Sequence, residues 1–327
     1  MGEANFSVKY QGTLTTILIN TPFTKVYRYK IVNYGNLQRR EELLTDGVNK
    51  EVNFDDGKFL WRFFPNKNLV IKGKSCIISP LHFRRQNNLE LVKQNYGIQV
   101  VGKYDIDGRD GYKILFNPKK TDRPQQIFWI DAKTGIPFKI EKYGPNDRLV
   151  SVSSFSNINF QVPTHKNLYL KVPPQTNIRE IKEKCNLSIL KAKSLMGNRI
   201  FSPQYLPAGF KLKNIVLRIH GKQKNLQLFY TDGLSALSVF QKQFTVKDHE
   251  DWSQFIKIKL GKSDAFFTTS GALNTLNIRS RPISTTLMGE IFQEEIIKVA
   301  ESLNPVELNT PLGGIKKNKK KQSFISP

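Results

Sequence analysis

Hydrophobic and polar residues alternate with a period of two through most of the first half of the chain. The runs are Val26–Ile31, Lys58–Phe64, Ile98–Val101, Gly111–Phe116, Gln126–Ile130 and Phe138–Tyr143. That period sets successive side chains on opposite faces of an extended strand. Between the runs stand Asp46-Gly47, Asp56-Gly57, Asp107-Gly108, Thr134-Gly135 and Gly144-Pro145, whose residues suit the φ values of tight turns. Strands at short spacing joined by such turns predict one large antiparallel meander from Phe6 to about Phe160. Within it only Leu89–Asn95 has clear helical spacing, with Leu89, Val92 and Tyr96 on one face.

The pattern changes between Val162 and Thr176. Val172-Pro-Pro-Gln-Thr176 cannot be an interior strand, because two prolines remove two ladder donors, and it reads as the start of a linker. Residues 178–196 then place Ile178, Ile181, Cys185, Ile189 and Leu190 among lysines at helical spacing. This predicts a basic amphipathic helix, lying either between domains or on a membrane surface. A second α+β unit runs from about Phe201 to Asn304. Tyr205-Leu-Pro-Ala-Gly-Phe210 is a Pro/Gly turn between two apolar anchors. Leu228–Phe240 reads as strand, Asp232-Gly233 turn, strand. Thr285–Glu290 predicts a strand and turn. Gln293–Leu303 predicts a helix through Ile296, Ile297, Ala300 and Leu303, stopped by Pro305.

A length of 327 residues accommodates two ordinary domains, and 39% hydrophobic with 24% charged residues describes a globular chain. No apolar run approaches the roughly 18–20 residues of a spanning helix. The net charge of +24 points to an anionic partner, whether nucleic acid, lipid headgroups or an acidic protein segment, or else to plain lysine-rich surface bias. The lysines are spread along the chain. Only Lys316–Lys321 forms a block, in a tail that reads as disordered. Cys76 and Cys185 are too few for a disulfide scaffold, and leave one bridge and two free thiols equally open.

Catalytic machinery is not legible. His82, His165, His220 and His249 lie on separate elements without metal-ligand spacing, and Asp248–Asp251 reads as a solvated loop. Gly73-Lys-Ser75 and Gly261-Lys-Ser263 end like phosphate-binding loops, but Asn68 and Ile256 stand where the upstream glycine belongs. No catalytic residue, metal or cofactor is expected, and the chain reads as a non-enzyme. Aromatic residues are the remaining resource. Phe59, Trp61 and Phe63 share one strand face, and Ile127 and Trp129 alternate against Phe128 and Ile130. Strands apolar on both faces are covered on both sides or line a cavity. Phe59, Trp61, Phe63, Ile127 and Trp129 are therefore the candidate apolar ligand site.

Several segments, in order, carry a resemblance. Tyr10-Gln-Gly-Thr13, Arg39-Arg-Glu41 with Leu44-Thr-Asp-Gly47, and Gly111–Phe116 lead to Arg123-Pro124 and Ile127-Phe-Trp-Ile-Asp131 through Thr134-Gly-Ile-Pro137. Leu206–Phe210, Tyr230–Phe240, Met288-Gly-Glu290 and Ile297–Leu303 follow. Their order resembles the RseB/MucB family of periplasmic sigma-E regulators. The resemblance implies an α+β protein: a curved antiparallel half-barrel similar to the lipoprotein carriers LolA and LolB, then a smaller α+β domain. The expected division is 1–163 for the half-barrel, 164–200 for a linker with a helix, 201–305 for the second domain and 306–327 for a disordered tail. The implied function is non-enzymatic: binding a membrane-anchored anti-sigma factor and sensing lipid, with Tyr230 and Asp232 as candidate partner contacts. The alternative is a periplasmic lipid or lipoprotein acyl-chain carrier; nucleic acid rests on charge alone. The location implied is the periplasm. Met1-Gly-Glu-Ala4 leads straight into strand-like Phe6–Gly12 without a leader pattern, so a removed or truncated leader is expected.

Overall fold

The computed structural model describes residues 8–20, 24–35, 37–43, 49–76, 89–106, 108–162, 172–197, 199–243, 255–261, 263–279 and 282–306. The Asp46-Gly47 turn, His82, His165, His249, all of 164–171 and the lysine-rich tail beyond Val306 lie outside these.

The first half is almost entirely strand. In chain order these are β1 (Tyr10–Ile19), β2 (Thr24–Tyr34), β3 (Leu37–Leu43), β4 (Asn49–Asp55), β5 (Phe59–Phe64) and β6 (Leu69–Lys74). Helix α1 (Leu89–Asn95) then precedes β7 (Tyr96–Ile106), β8 (Arg109–Pro118), β9 (Gln125–Asp131), β10 (Pro137–Tyr143) and β11 (Leu149–Asn159). Two antiparallel meanders, β1–β6 and β7–β11, join through β1 and β11, where Ile17 opposes Val152. With β12 (Asn177–Glu180) they make one open, curved twelve-stranded sheet, β7 at one edge and β12 at the other. The expected meander and the α1 boundaries agree with this. Of the expected α1 face, Val92 and Tyr96 are buried, while Leu89 is 42% exposed and Leu91 is buried in its place.

That half holds β13 (Lys182–Lys184), α2 (Ile189–Leu195), β14 (Phe201–Pro203), β15 (Lys211–His220), β16 (Gln223–Thr231) and β17 (Ala236–Gln243). It continues through β18 (Ile256–Leu260), β19 (Ser263–Ser270), β20 (Leu273–Arg279), β21 (Ile283–Gly289), α3 (Gln293–Glu301) and β22 (Leu303–Pro305). Eight strands form the second sheet, and β14 pairs with β22 separately. One face of that sheet carries Leu226, Leu228, Leu237, Val239, Leu276 and Leu287, all fully buried under Ala192 of α2, Met196 just past its end, and Ile296 and Val299 of α3. Each such aliphatic side chain contributes about 1.5–3 kcal/mol on burial. This is the largest apolar cluster among the described residues. Gln241 sits in it at zero exposure because its amide pairs with Phe201 N and O at 2.7 and 2.8 Å, extending strand-like bonding to β14.

The helix expected over 178–196 is confined to Ile189–Leu195, capped by the Ser188 hydroxyl, which accepts from Lys191 N at 3.2 Å. Upstream the chain is extended: β12 adds parallel to β6, and β13 adds antiparallel to β15. Ile181, Cys185 and Ile189 fit a helical stripe, yet with Glu183 and Leu187 they also fit a period of two, and exposure alternates residue by residue from 181 to 190. Two sheets offered this segment open edges, and ladder hydrogen bonds there satisfy its backbone better than an isolated basic helix. The last turn of the expected closing helix is likewise strand β22. Pro305 ends α3 early, and Leu303 pairs with Pro203. Cys76 and Cys185 form a disulfide that ties the end of β6 to the connecting segment across 109 residues. Of the two alternatives the sequence left open, the bridge is the one formed.

Candidate functional site

Two arrangements concentrate chemistry, and they lie on opposite faces of the large sheet. The registers relay one face from Trp129 to Lys139, Ser154, Thr15 and Arg28, then along β3 to Glu41, Val52 and Phe63. Phe59, Trp61, Phe63, Ile127 and Trp129 therefore share a side. Six strands lie between β5 and β9 in the order of the sheet. Trp61 packs against the cluster of Leu37 and Phe54; Trp129 meets Tyr104 edge-on at 5.3 Å. Every one of the five candidates is half-buried. Lysines lie over the rings: Lys72 Nζ is 4.8 Å from Phe59 and 4.7 Å from Trp61, and Lys113 and Lys139 stand 5.0 and 5.6 Å from Trp129. An apolar surface rimmed by ammonium groups suits amphiphiles with an anionic head. A separate cavity of about 440 Å³ lies in the second domain, lined by Phe201, Leu260, Ile278, Thr285 and Leu303 among others.

The opposite face carries α1 and the second domain. Phe116, Phe128 and Ile130 pack there with Val92 and Leu234. Beside this contact sits a buried polar knot centred on Asp232, whose exposure is zero. Its Oδ1 accepts from Leu234 N and Ser235 N at 2.9 and 2.7 Å, closing the β16–β17 turn. Its Oδ2 accepts from the Tyr96 hydroxyl at 2.6 Å and from Arg123 Nη1. Arg123 also donates to Asp122 through Nε at 2.5 Å and Nη2 at 2.9 Å, and to Ala208 O at 2.5 Å. Asn95 Nδ2 bridges Leu91 O and Asp232 O, both at 2.9 Å. Tyr96, Arg123 and Asn95 belong to the first domain, and Asp232 and Ala208 to the second, so the knot is the seam between them.

The electrostatics follow from that burial. Desolvation, reinforced by the Asp232 charge, holds the Tyr96 phenol far above its ordinary pKa. Burial works against the Arg123 charge, but its bonds and charge interactions with Asp122 and Asp232 outweigh it and keep the guanidinium protonated. The backbone is fitted just as closely. Gly209 (φ +86°) and Gly233 (φ +107°) leave no room for a side chain, because a Cβ would run into Asn95 and Val92 respectively. At the periphery Lys142 pairs with Glu290, and Gly271 N donates to Asn20 Oδ1 at 2.6 Å.

Tyr230 and Asp232, the candidate partner contacts, are thus beneath the surface in this arrangement, at 3% and 0% exposure. Burial alone raises the Tyr230 phenol, and Asp232 meets the first domain rather than solvent. The turn hid this from sequence reasoning: an Asp-Gly pair announces a hairpin and says nothing of a second partner for its carboxylate. The signal that was present is Asp232-Gly-Leu-Ser235, in which one carboxylate oxygen suffices for the turn and the other is left over.

A family model of the MucB/RseB N-terminal domain matches residues 1–176, and a domain of unknown function (DUF4367) matches residues 200–303. The crystal structure of MucB is similar to this fold at TM-score 0.59 and 17% identity, covering 93% of this chain and 95% of that one. MucB of Pseudomonas aeruginosa, solved in complex with MucA, is similar at TM-score 0.57 and 17% identity over the same shares. No curated protein matches the chain.

Proposed function

Since the chain belongs to the MucB/RseB family, we propose that it is a non-enzymatic binding protein of the cell envelope, holding the periplasmic part of a membrane-anchored anti-sigma factor and so restraining sigma-factor signalling. The observation that carries this reading is the pairing of both domains in one order. The similarity spans 93% of this chain and 95% of MucB, and a MucB of the same fold has been solved with MucA. A carrier of lipids or lipoproteins needs only the first sheet. Here a second domain is joined to it by a buried ion pair and tied to it through a disulfide.

Residues 1–163 form the sensing half of this reading and residues 201–305 the other. Phe59, Trp61, Phe63, Ile127 and Trp129 contact the apolar part of a lipid, and Lys72, Lys113 and Lys139 its anionic head. Half-burial of the rings beneath ammonium groups supports that assignment. Tyr230 and Asp232 act on the partner indirectly, by setting the pose of the second domain.

Titration of the purified protein with the periplasmic segment of the anti-sigma factor from the same cell tests the main reading, with a dissociation constant of about 1 μM or tighter expected. No binding would overturn it. Native mass spectrometry of detergent-free protein tests the sensing half. A bound anionic lipid lost in Trp61→Glu is expected; unfolding of that variant would mean ordinary core.

A further inference from the structure

The edge strand β7 is unlike the other edges of the molecule. It ends the twelve-stranded sheet, runs for 11 residues, and among the described residues nothing pairs with its outer side. Both of its faces are open: Ile98 is 43% exposed, Val100 61%, Val101 43% and Tyr104 40%. The opposite edge is covered by the short β12. Natural sheets blunt a long edge with charge, proline or a bulge. Here Tyr96–Val101 carries neither charge nor proline, and the bulge between Val100 and Gly102 falls only at the end of that stretch.

We propose that the Tyr96–Val101 edge of β7 is a strand-addition site for an extended, acidic segment of a partner protein. Main-chain hydrogen bonds supply the affinity of such sites, and the exposed side chains of alternate residues read the incoming strand. The charge around the edge selects its composition. Lys93 and Lys119 stand together at the Tyr96 end, where Lys119 Nζ donates to Lys93 O at 2.9 Å and Glu90 pairs with Lys93 at 3.3 Å, two ammonium groups to one carboxylate. Asp105 and Asp110 oppose each other at the far end, with Lys103 pairing Asp110 at 2.8 Å. Acidic residues of the incoming strand are therefore favoured against the Tyr96 half. A second copy of this chain is the other occupant such an edge invites. Two chains of +24 repel each other, which disfavours that pairing.

Hydrogen–deuterium exchange of the full chain tests this, with a short acetylated peptide of alternating Val and Glu as the probe. The expected result is exchange of the β7 amides slowed about 10-fold or more. The protection disappears in Val100→Glu and in Ile98→Glu, which set a repelling charge at exposed positions facing the acidic peptide. It persists in Ile256→Glu, at the 66% exposed position on the edge strand of the other sheet. Unchanged β7 exchange overturns the proposal. So does equal protection by a Val/Lys peptide, which would remove the acidic preference. Protection that rises with protein concentration without peptide would make a second copy the occupant and overturn it as well.

Discussion

Tyr96→Phe and Asp232→Asn together test whether the buried knot couples the two domains. Tyr96 is 2% exposed and donates to the Asp232 carboxylate at 2.6 Å, so the phenylalanine variant removes one hydroxyl and little volume. A hydrogen bond to a charged group contributes about 1.5–3 kcal/mol, the expected loss. Asp232→Asn retains an oxygen for the Leu234 and Ser235 amides but removes the charge facing Arg123. Breaking a buried ion pair costs about 3–5 kcal/mol. Asp122 still holds Arg123 at 2.5 and 2.9 Å, which favours the low end of that range. Once the charge is gone, the Tyr96 hydroxyl has lost its strong acceptor, and its deletion costs only about 1 kcal/mol. The double-mutant cycle should therefore show a coupling of about 0.5–2 kcal/mol between residues of different domains. Urea unfolding of the full chain supplies the energies. Hydrogen exchange at β7–β9 and at β16–β17 follows each domain separately, which matters because two domains need not unfold in one step. A coupling under about 0.5 kcal/mol, the range of independent sites, would refute the seam as an energetic link.

Two further outcomes are expected. Replacing both Cys76 and Cys185 by Ser removes a link spanning 109 residues and should cost about 2–4 kcal/mol, read as a lowered thermal midpoint without reductant; an unchanged midpoint would show that the bridge constrains nothing. Asp131 closes the β9–β10 turn by accepting from Thr134 N and Oγ1 at 2.5 and 2.6 Å and from Arg109 Nε at 2.7 Å. Burial pushes its carboxyl up, yet those bonds outweigh burial and hold it below the usual 3.8. A depressed folded pKa gives stability that is complete above the unfolded value and lost as pH falls through the folded one. Asp131→Asn should thus lower the thermal midpoint at neutral pH, with the difference shrinking below pH 3.8; a gap that widens in acid would contradict the assignment.

Most of the strands and α1 were legible in the sequence, because period-two alternation and Asp-Gly or Thr-Gly turns are local signals that the sheet does not contradict. The shared face of Trp61 and Trp129 was legible as parity within each strand. That the two tryptophans stand six strands apart was not, since order in a sheet is set by which edges meet. Residues 178–188 show the limit most clearly. Their apolar positions satisfy two periods at once, and only the edges of β6 and β15 decided for the extended form. The fate of Asp232 was decided in the same way. Its sequence specifies a turn that uses one oxygen, while the Tyr96 hydroxyl and the Arg123 guanidinium that engage the other arrive from more than a hundred residues away. Local pattern determines which way a side chain points along its own strand. What it meets there depends on desolvation and packing between elements distant in the chain, and these exist only once both domains have docked.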